Sequence, residues 1–219
     1  MKIAIHLSIA FVLSLFFAGC TTVEPVRANY TIYKQYKPKS ILILPPMNET
    51  SEIKATNAFL ATVSAPLAEK GYYVFPVTLV DKMLKNNGVT TAGDMHRVAL
   101  DKLREVFGAD AVLYITIRDW ATKYMVIDSY TEVDIHYRLV DLRTGQELWN
   151  QDERISHSLN QNNSEGLAGM VAAAIVGKLM SGVVDLESDI ARQVNYSMFN
   201  NPYSGLLDGH RKIITSEQH

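Results

Sequence analysis

Thr131-Glu-Val-Asp-Ile-His-Tyr-Arg-Leu139 is the stretch on which the fold turns. Thr131, Val133, Ile135, Tyr137 and Leu139 share one parity, and Glu132, Asp134, His136 and Arg138 share the other. Strand side chains alternate between faces, so this reads as a strand in a sheet with one dry and one wet face. Asp141-Leu-Arg-Thr-Gly145 supplies a tight turn, with Gly145 able to adopt a positive φ. Gln146 to His157, carrying Trp149, returns as the antiparallel partner. Upstream, Ala109-Asp-Ala-Val-Leu-Tyr-Ile-Thr-Ile117 is almost continuously apolar, the pattern of a central strand. The middle of the chain is therefore an antiparallel meander.

Outward from it the periods change. Ile41-Leu-Ile-Leu44 is a short buried strand stopped by Pro45-Pro46. Asn48 to Ser51 offers capping side chains for a helix over Glu52–Lys70, with Phe59, Val63 and Leu67 on one face. Pro66 lacks an N–H and must kink or end that helix, and Gly71 stops it. Tyr72 to Pro76 reads as a strand, and Val77–Asn87 as a helix with Leu79, Val80, Met83 and Leu84 inward. Asp94 caps a further helix whose stripe is Met95, Ala99, Leu103, Val106 and Phe107, and Gly108 ends it. Beyond the meander, Glu165–Ser181 is a helix rich in small residues, and a last helix through Ser197 repeats Leu186, Ile190 and Val194. The order predicts an α/β fold, a mixed sheet with an antiparallel meander and helices packed on it.

The start of the chain carries a different message. Lys2, the apolar run Ile3–Phe17 and the small pair Ala18-Gly19 lead into Cys20, the only cysteine among 219 residues. This is the layout of a bacterial lipoprotein signal, with Phe17 where leucine is usual. It predicts a signal peptide over residues 1–19 and a lipidated Cys20, whose sulfur takes a diacylglyceryl group and whose freed amine is acylated, for example by palmitate. Several acyl chains make attachment effectively permanent. Thr21 stands where aspartate would signal inner-membrane retention, which favours the outer membrane. Residues 20–40 read as the lipidated cysteine and a tether, residues 41–198 as a single α/β domain, and residues 199–219 as a flexible tail. Tyr30, Tyr33 and Tyr36 are expected to pack locally within the tether.

Without residues 1–19 the chain holds 20 Lys+Arg (21 less Lys2) against 23 Asp+Glu, a formal charge of −3. That balance offers no basic field for nucleic acid or for anionic lipid. With Cys20 lipidated no thiol remains for a disulfide, so the core alone must hold the fold. No repeats of fixed period are visible. The run Leu167 to Val184 has the length of a spanning helix, but Ala and Gly dominate it. Gly166, just before it, with Gly169, Ala173 and Gly177 forms a smooth face that fits a core or dimer-interface helix, and a homodimer through that face is the specific expectation.

No metal site, cofactor or catalytic motif is expected. The six histidines show no metal-ligand spacing, and searches for nucleophile, zinc and phosphate-loop motifs fail. His136 beside Asp134 and Arg138 reads first as a solvated charge network. The alternative is an envelope hydrolase with a site over the meander, near Asp134, His136 and Asp152.

Four stretches taken together resemble a known family. They are the signal ending at Cys20, Ile41-Leu-Ile-Leu-Pro-Pro46, Gly108-Ala-Asp-Ala-Val-Leu113, and the hairpin Val140-Asp-Leu-Arg-Thr-Gly-Gln-Glu-Leu-Trp149. From Cys20 to about Ser197 the chain resembles a family of Gram-negative lipoproteins of unknown function. Their domain is similar to the N-terminal domain of periplasmic TolB and to the periplasmic part of the curli-secretion lipoprotein CsgG. The resemblance implies a dimeric interaction domain facing the envelope, with other envelope lipoproteins or transport components as partners. The pore hairpins of CsgG have no counterpart here. The resulting expectation is a non-catalytic component of an envelope assembly, secretion or transport complex, anchored in the outer membrane with its domain in the periplasm. A surface-exposed arrangement is a further alternative.

Overall fold

Strand β4, Ala111–Tyr124, is the axis of the fold. In the computed structural model, which describes residues 28–124, 129–158 and 186–212, it lies in the middle of a six-stranded sheet. Strand β1 (Ser40–Ile43) runs parallel to it on one side and β3 (Tyr73–Val74) extends that side in parallel. The two-residue β2 (Met47–Asn48) also pairs parallel with β4, beyond the Pro45-Pro46 break. On the other side β5 (Ser129–Asp141) and β6 (Glu147–Ser158) form the expected antiparallel meander.

Both faces of β1 and of the first half of β4 are buried. Ile41, Ile43, Ala111, Leu113, Ile115 and Ile117 point into the larger core, with Val133, Ile135, Tyr137 and Leu139 of β5. Helix α2 (Ile53–Thr62), α3 (Ser64–Glu69) and α7 (Leu186–Asn200) cover this side through Phe59, Leu67, Ile190, Val194 and Phe199. Leu42, Leu44, Val112, Tyr114, Val140 and Leu142 point the other way, into a smaller core. There α4 (Val77–Asn86), α5 (Ala92–Met95) and α6 (Leu100–Phe107) supply Val80, Leu84, Met95 and Leu103. These helices cover only one end of the sheet, so the far end of this face meets solvent.

A bulge divides β4. Its pairing with β5 shifts between Ile117 and Asp119, and parity along β4 reverses there. Ile117 is buried in the larger core and so is Trp120, while Arg118 and Asp119 between them are exposed. One added residue changes which side chains face inward.

The turn between β5 and β6 is built on a buried carboxylate. Asp141 accepts hydrogen bonds from the N–H groups of Arg143 (3.0 Å) and Thr144 (2.9 Å) and from the Thr144 hydroxyl (2.9 Å). Gly145 closes the turn at φ 73°.

Several helices differ from expectation. The helix foreseen over Glu52–Lys70 is two, parted at Val63, because Pro66 cannot donate to the preceding turn. The cap at its start is the Glu52 carboxylate, which accepts from Lys54 N at 3.1 Å. The helix foreseen from Asp94 is also two, and Thr91 is the cap, accepting from Asp94 N. Leu79 and Val106, expected inward, are exposed, because the buried stripes are narrower: Val80 and Leu84 on α4, and Leu103 alone on α6.

The domain limits also move. Residues 28–40 are not simply a tether: α1 (Thr31–Tyr36) lies against the domain, with Tyr33 buried in the larger core. Tyr33 and Tyr72 share a hydroxyl hydrogen bond, and Tyr72 also donates to Leu207 O. Burial raises both phenols, Tyr33 to about 12 and Tyr72 further. Nor do residues 199–212 read as a free tail, since Phe199 and Leu206 are buried and Trp149 Nε1 donates to Ser204 O at 2.8 Å. Aromatic anchors without a sequence period set both limits. Cys20, residues 1–27 and the small-residue face at Gly166, Gly169, Ala173 and Gly177 lie outside the described residues.

Candidate functional site over the meander

The wet face of the meander brings the three predicted residues together. In register, Thr116 of β4 stands opposite His136 of β5, and His136 opposite Asp152 of β6. One row further along, Asp119, Asp134 and Arg154 align in the same way. Antiparallel pairing places such side chains close enough to interact directly.

They form an ion-pair network. His136 Nδ1 and Asp152 Oδ1 are 2.8 Å apart, and Arg118 Nη1 donates to the same oxygen at 2.6 Å. Arg154 clasps Asp134 Oδ2 with Nη2 at 2.6 Å and Nε at 3.2 Å. Arg118 also lies 3.9 Å from Asp134 Oδ1, so one guanidinium bridges the two carboxylates. Sequence reading found Asp134 and His136 by strand parity and Asp152 among the carboxylates of the meander. It missed Arg118, whose position depends on the bulge, and Arg154, which the alternation of β6 could have supplied.

Exposure differs sharply across the network. The Asp134 side chain is 13% exposed and that of Asp152 is 63% exposed. Asp152 therefore sits in high dielectric, where a charge pair is strongly screened. Arg154 holds its proton more firmly than usual because of its hydrogen bond and charge pairing with Asp134. No described hydroxyl or thiol is hydrogen-bonded to the His136 ring. Thr116, directly opposite on β4, makes no such bond, so no described nucleophile sits on the histidine–carboxylate contact. The residues converge on an open sheet surface.

Arg118 also belongs to a second feature. The loop Glu49–Glu52 and the segment Arg118–Ala121 enclose an open groove of about 500 Å³ with mainly polar walls. Asn48 shapes the loop: its Oδ1 accepts from Thr50 N at 3.0 Å and its Nδ2 donates to Glu52 O at 2.8 Å. Sequence reading had taken this stretch as capping residues only. Among the described residues no cluster of histidine, cysteine and carboxylates could hold a metal ion.

Further polar groups lie in the helix layers. His96 Nε2 is 3.0 Å from Pro45 O, which can only accept, so the proton sits on Nε2. Burial pushes the His96 pKa down. On the other side of the sheet, burial pushes the Glu153 carboxyl up. Among the described residues no helix is long and apolar enough to cross a membrane.

With this geometry in view, similarity to known proteins can be placed on it. A family model described as "Putative lipoprotein GNA1162-like" matches residues 28–211. The limits of that match coincide with the packed segments at both ends. A Neisseria meningitidis serogroup B protein described as "Putative lipoprotein NMB1124/NMB1162" is 41% identical over 209 residues, covering 94% of this chain and 95% of its own. The crystal structure of lipoprotein GNA1162 from Neisseria meningitidis superposes with a TM-score of 0.56 at 44% identity, covering 66% of this chain and 99% of that one.

Proposed function

The chain belongs to the GNA1162-like lipoprotein family, and from that premise we propose that it is a lipid-anchored, non-catalytic interaction component of a bacterial cell-envelope complex. In this reading Cys20 carries the acyl chains, and the domain faces the periplasm from the outer membrane. Assembly, secretion or transport is the task of the complex, and other envelope lipoproteins or transport components are its partners. The likeness to TolB and CsgG belongs to the same reading. So does a homodimer joined through Gly166, Gly169, Ala173 and Gly177.

The observation that carries the non-catalytic part is the charge network. Arg118 occupies Asp152 and Arg154 occupies Asp134, so the carboxylates are engaged as acceptors on an open surface. A general base works better in an enclosed pocket, where burial tunes its proton affinity.

Capture tests this reading. Photo-crosslinkers placed at exposed Asp119 and Asp152 in the lipidated protein, in its own membranes, are expected to trap one defined envelope protein. Random labelling by abundant neighbours would refute it. For the dimer, Ala173→Leu and Gly177→Leu should shift the mass measured by light scattering, and an unchanged mass removes that interface.

One observation favours the envelope hydrolase instead, the 2.8 Å contact between His136 and Asp152. Loss of an envelope phenotype in His136→Ala, with folding and membrane association intact, would support it.

A further inference from the structure

The first described residues meet the segment after α7 at one corner. Ala28 N donates to Tyr203 O at 3.1 Å, and the Tyr30 hydroxyl donates to Gly205 O. We propose that this corner, with α1, is the surface that lies against the bilayer, held there by contact with anionic lipid headgroups as well as by the anchor. The assignment rests on lipidation of Cys20 and goes beyond it by naming the face and the chemistry it meets.

Reach is the first argument. Eight residue steps separate Cys20 from Ala28, which at full extension span at most about 29 Å. Helix α1 begins three residues after Ala28, so among the described residues it is the first element beyond the anchor.

Charge is the second. The chain as a whole has a formal charge of −2, but residues 28–40 hold Lys34, Lys37 and Lys39 and no Asp or Glu. All three lysines are exposed, and none is ion-paired with a described carboxylate. Asp110, which approaches this segment, is taken up by the N–H groups of Lys39 and Ser40 at 2.9 and 3.1 Å. The positive field extends to the chain's other end. Arg211 lies over the Tyr73 ring, 5.4 Å from its centroid, and Tyr73 N donates to Lys39 O at 3.0 Å. Composition alone conceals this local field; besides Asp110, the carboxylate that acts on α1 is Asp208, which is itself paired with Lys70 at 3.0 Å.

Exposed apolar groups are the third argument. Ile32 on α1 is 39% exposed, and Tyr203, at the bond to Ala28, is 45% exposed. A tyrosine with a wet hydroxyl and an apolar ring suits the headgroup layer. Basic and apolar residues side by side are what an interfacial segment needs on an anionic surface.

The test uses the full chain, lipidated in cells and reconstituted into phosphatidylcholine vesicles with or without phosphatidylglycerol. Amide hydrogen exchange is expected to slow severalfold in α1 and residues 201–205 only on vesicles containing phosphatidylglycerol. High salt, or Lys34→Glu with Lys37→Glu and Lys39→Glu, should abolish that protection while the vesicles still carry the protein. Ile32→Ser with Tyr203→Ser, which keeps every charge, should weaken it. Protein that floats with vesicles yet exchanges there as it does in detergent overturns the proposal. So does protection seen in native membranes but not in vesicles, which would assign the face to a protein partner. An unmodified Cys20 with no flotation overturns the anchor, and this assignment with it.

Discussion

Tyr137 in the sheet donates its hydroxyl to Asn195 of the last helix at 2.8 Å, in a fully buried setting. Asn195 in turn donates to the Thr62 hydroxyl at 3.0 Å, and Thr62 donates to Ala58 O at 2.7 Å. One polar thread therefore joins β5, α7 and α2 through the larger core. Replacing Asn195 by leucine strands the Tyr137 hydroxyl and should destabilise by about 1–3 kcal/mol, since an unmet buried donor costs its full desolvation. Tyr137→Phe should cost roughly 1–2 kcal/mol, and the double variant less than the sum. Urea unfolding of all three variants checks the coupling.

Gly71 touches the chain's C-terminal segment. It sits at φ 90°, and a Cβ there would come within 2.2 Å of Lys212 N and 2.8 Å of Arg211 C. Gly88 has a similar φ of 84° but open space around it. Gly88→Ala should therefore cost only the conformational penalty of about 1 kcal/mol, and Gly71→Ala distinctly more. Thermal unfolding gives the difference, and hydrogen exchange at residues 209–212 shows whether the segment lifts away.

Acid should weaken the fold through His96. Its pKa is lowered below 6.5, first by burial, so the native state binds fewer protons than the unfolded chain. Stability then rises with pH in that window. It is full above the unfolded value and is lost as pH falls through 6.5 toward the lower folded value. Glu153, raised above 4.5 by burial, has the opposite sign: its neutral form is favoured on folding, and its contribution grows as pH falls. Urea midpoints measured between about pH 8 and pH 5 should fall with pH in the native sequence. The slope should flatten in His96→Gln.

The exposed pairs of the meander should matter little for stability. Asp152→Ala is expected to change unfolding free energy by less than about 1 kcal/mol, as exposed ion pairs generally do. Asp134→Ala should cost more, because Asp134 is largely shielded and leaves Arg118 and Arg154 with no carboxylate between them. Denaturant titration at low and high salt separates the screened part.

Cys20→Ala should leave the domain folded and release it from membranes. Flotation of the native chain and the variant, with mass spectrometry of the N-terminal peptide, is the measurement.

Much of this architecture could be read from the amino acids, and the reasons are local. The alternation from Thr131 to Leu139 determines which side chains face the core, and the apolar run to Ile117 places a strand with both faces covered. The same parity brought Asp134, His136 and Asp152 onto one surface. Tertiary contact determined the rest. Tyr33 and Leu206 are anchored by partners far along the chain, which no window of neighbouring residues contains. Leu79 and Val106 fit a helical stripe, but packing buries only Val80, Leu84 and Leu103 of those two helices. The bulge after Ile117 is invisible to a period-2 pattern, so neither Trp120 nor Arg118 could be assigned a side beforehand.

The bond between Ala28 and Tyr203 also sets how the domain would bear tension. A pull on the chain before Ala28 would arrive at the joint between Ala28 and Tyr203, not at a strand. Such force would first part the two ends and draw on α1 and its buried Tyr33, while the ladders of β4, β5 and β6 stay unloaded. Under such a load the joint would act as a mechanical fuse, yielding before the sheet does.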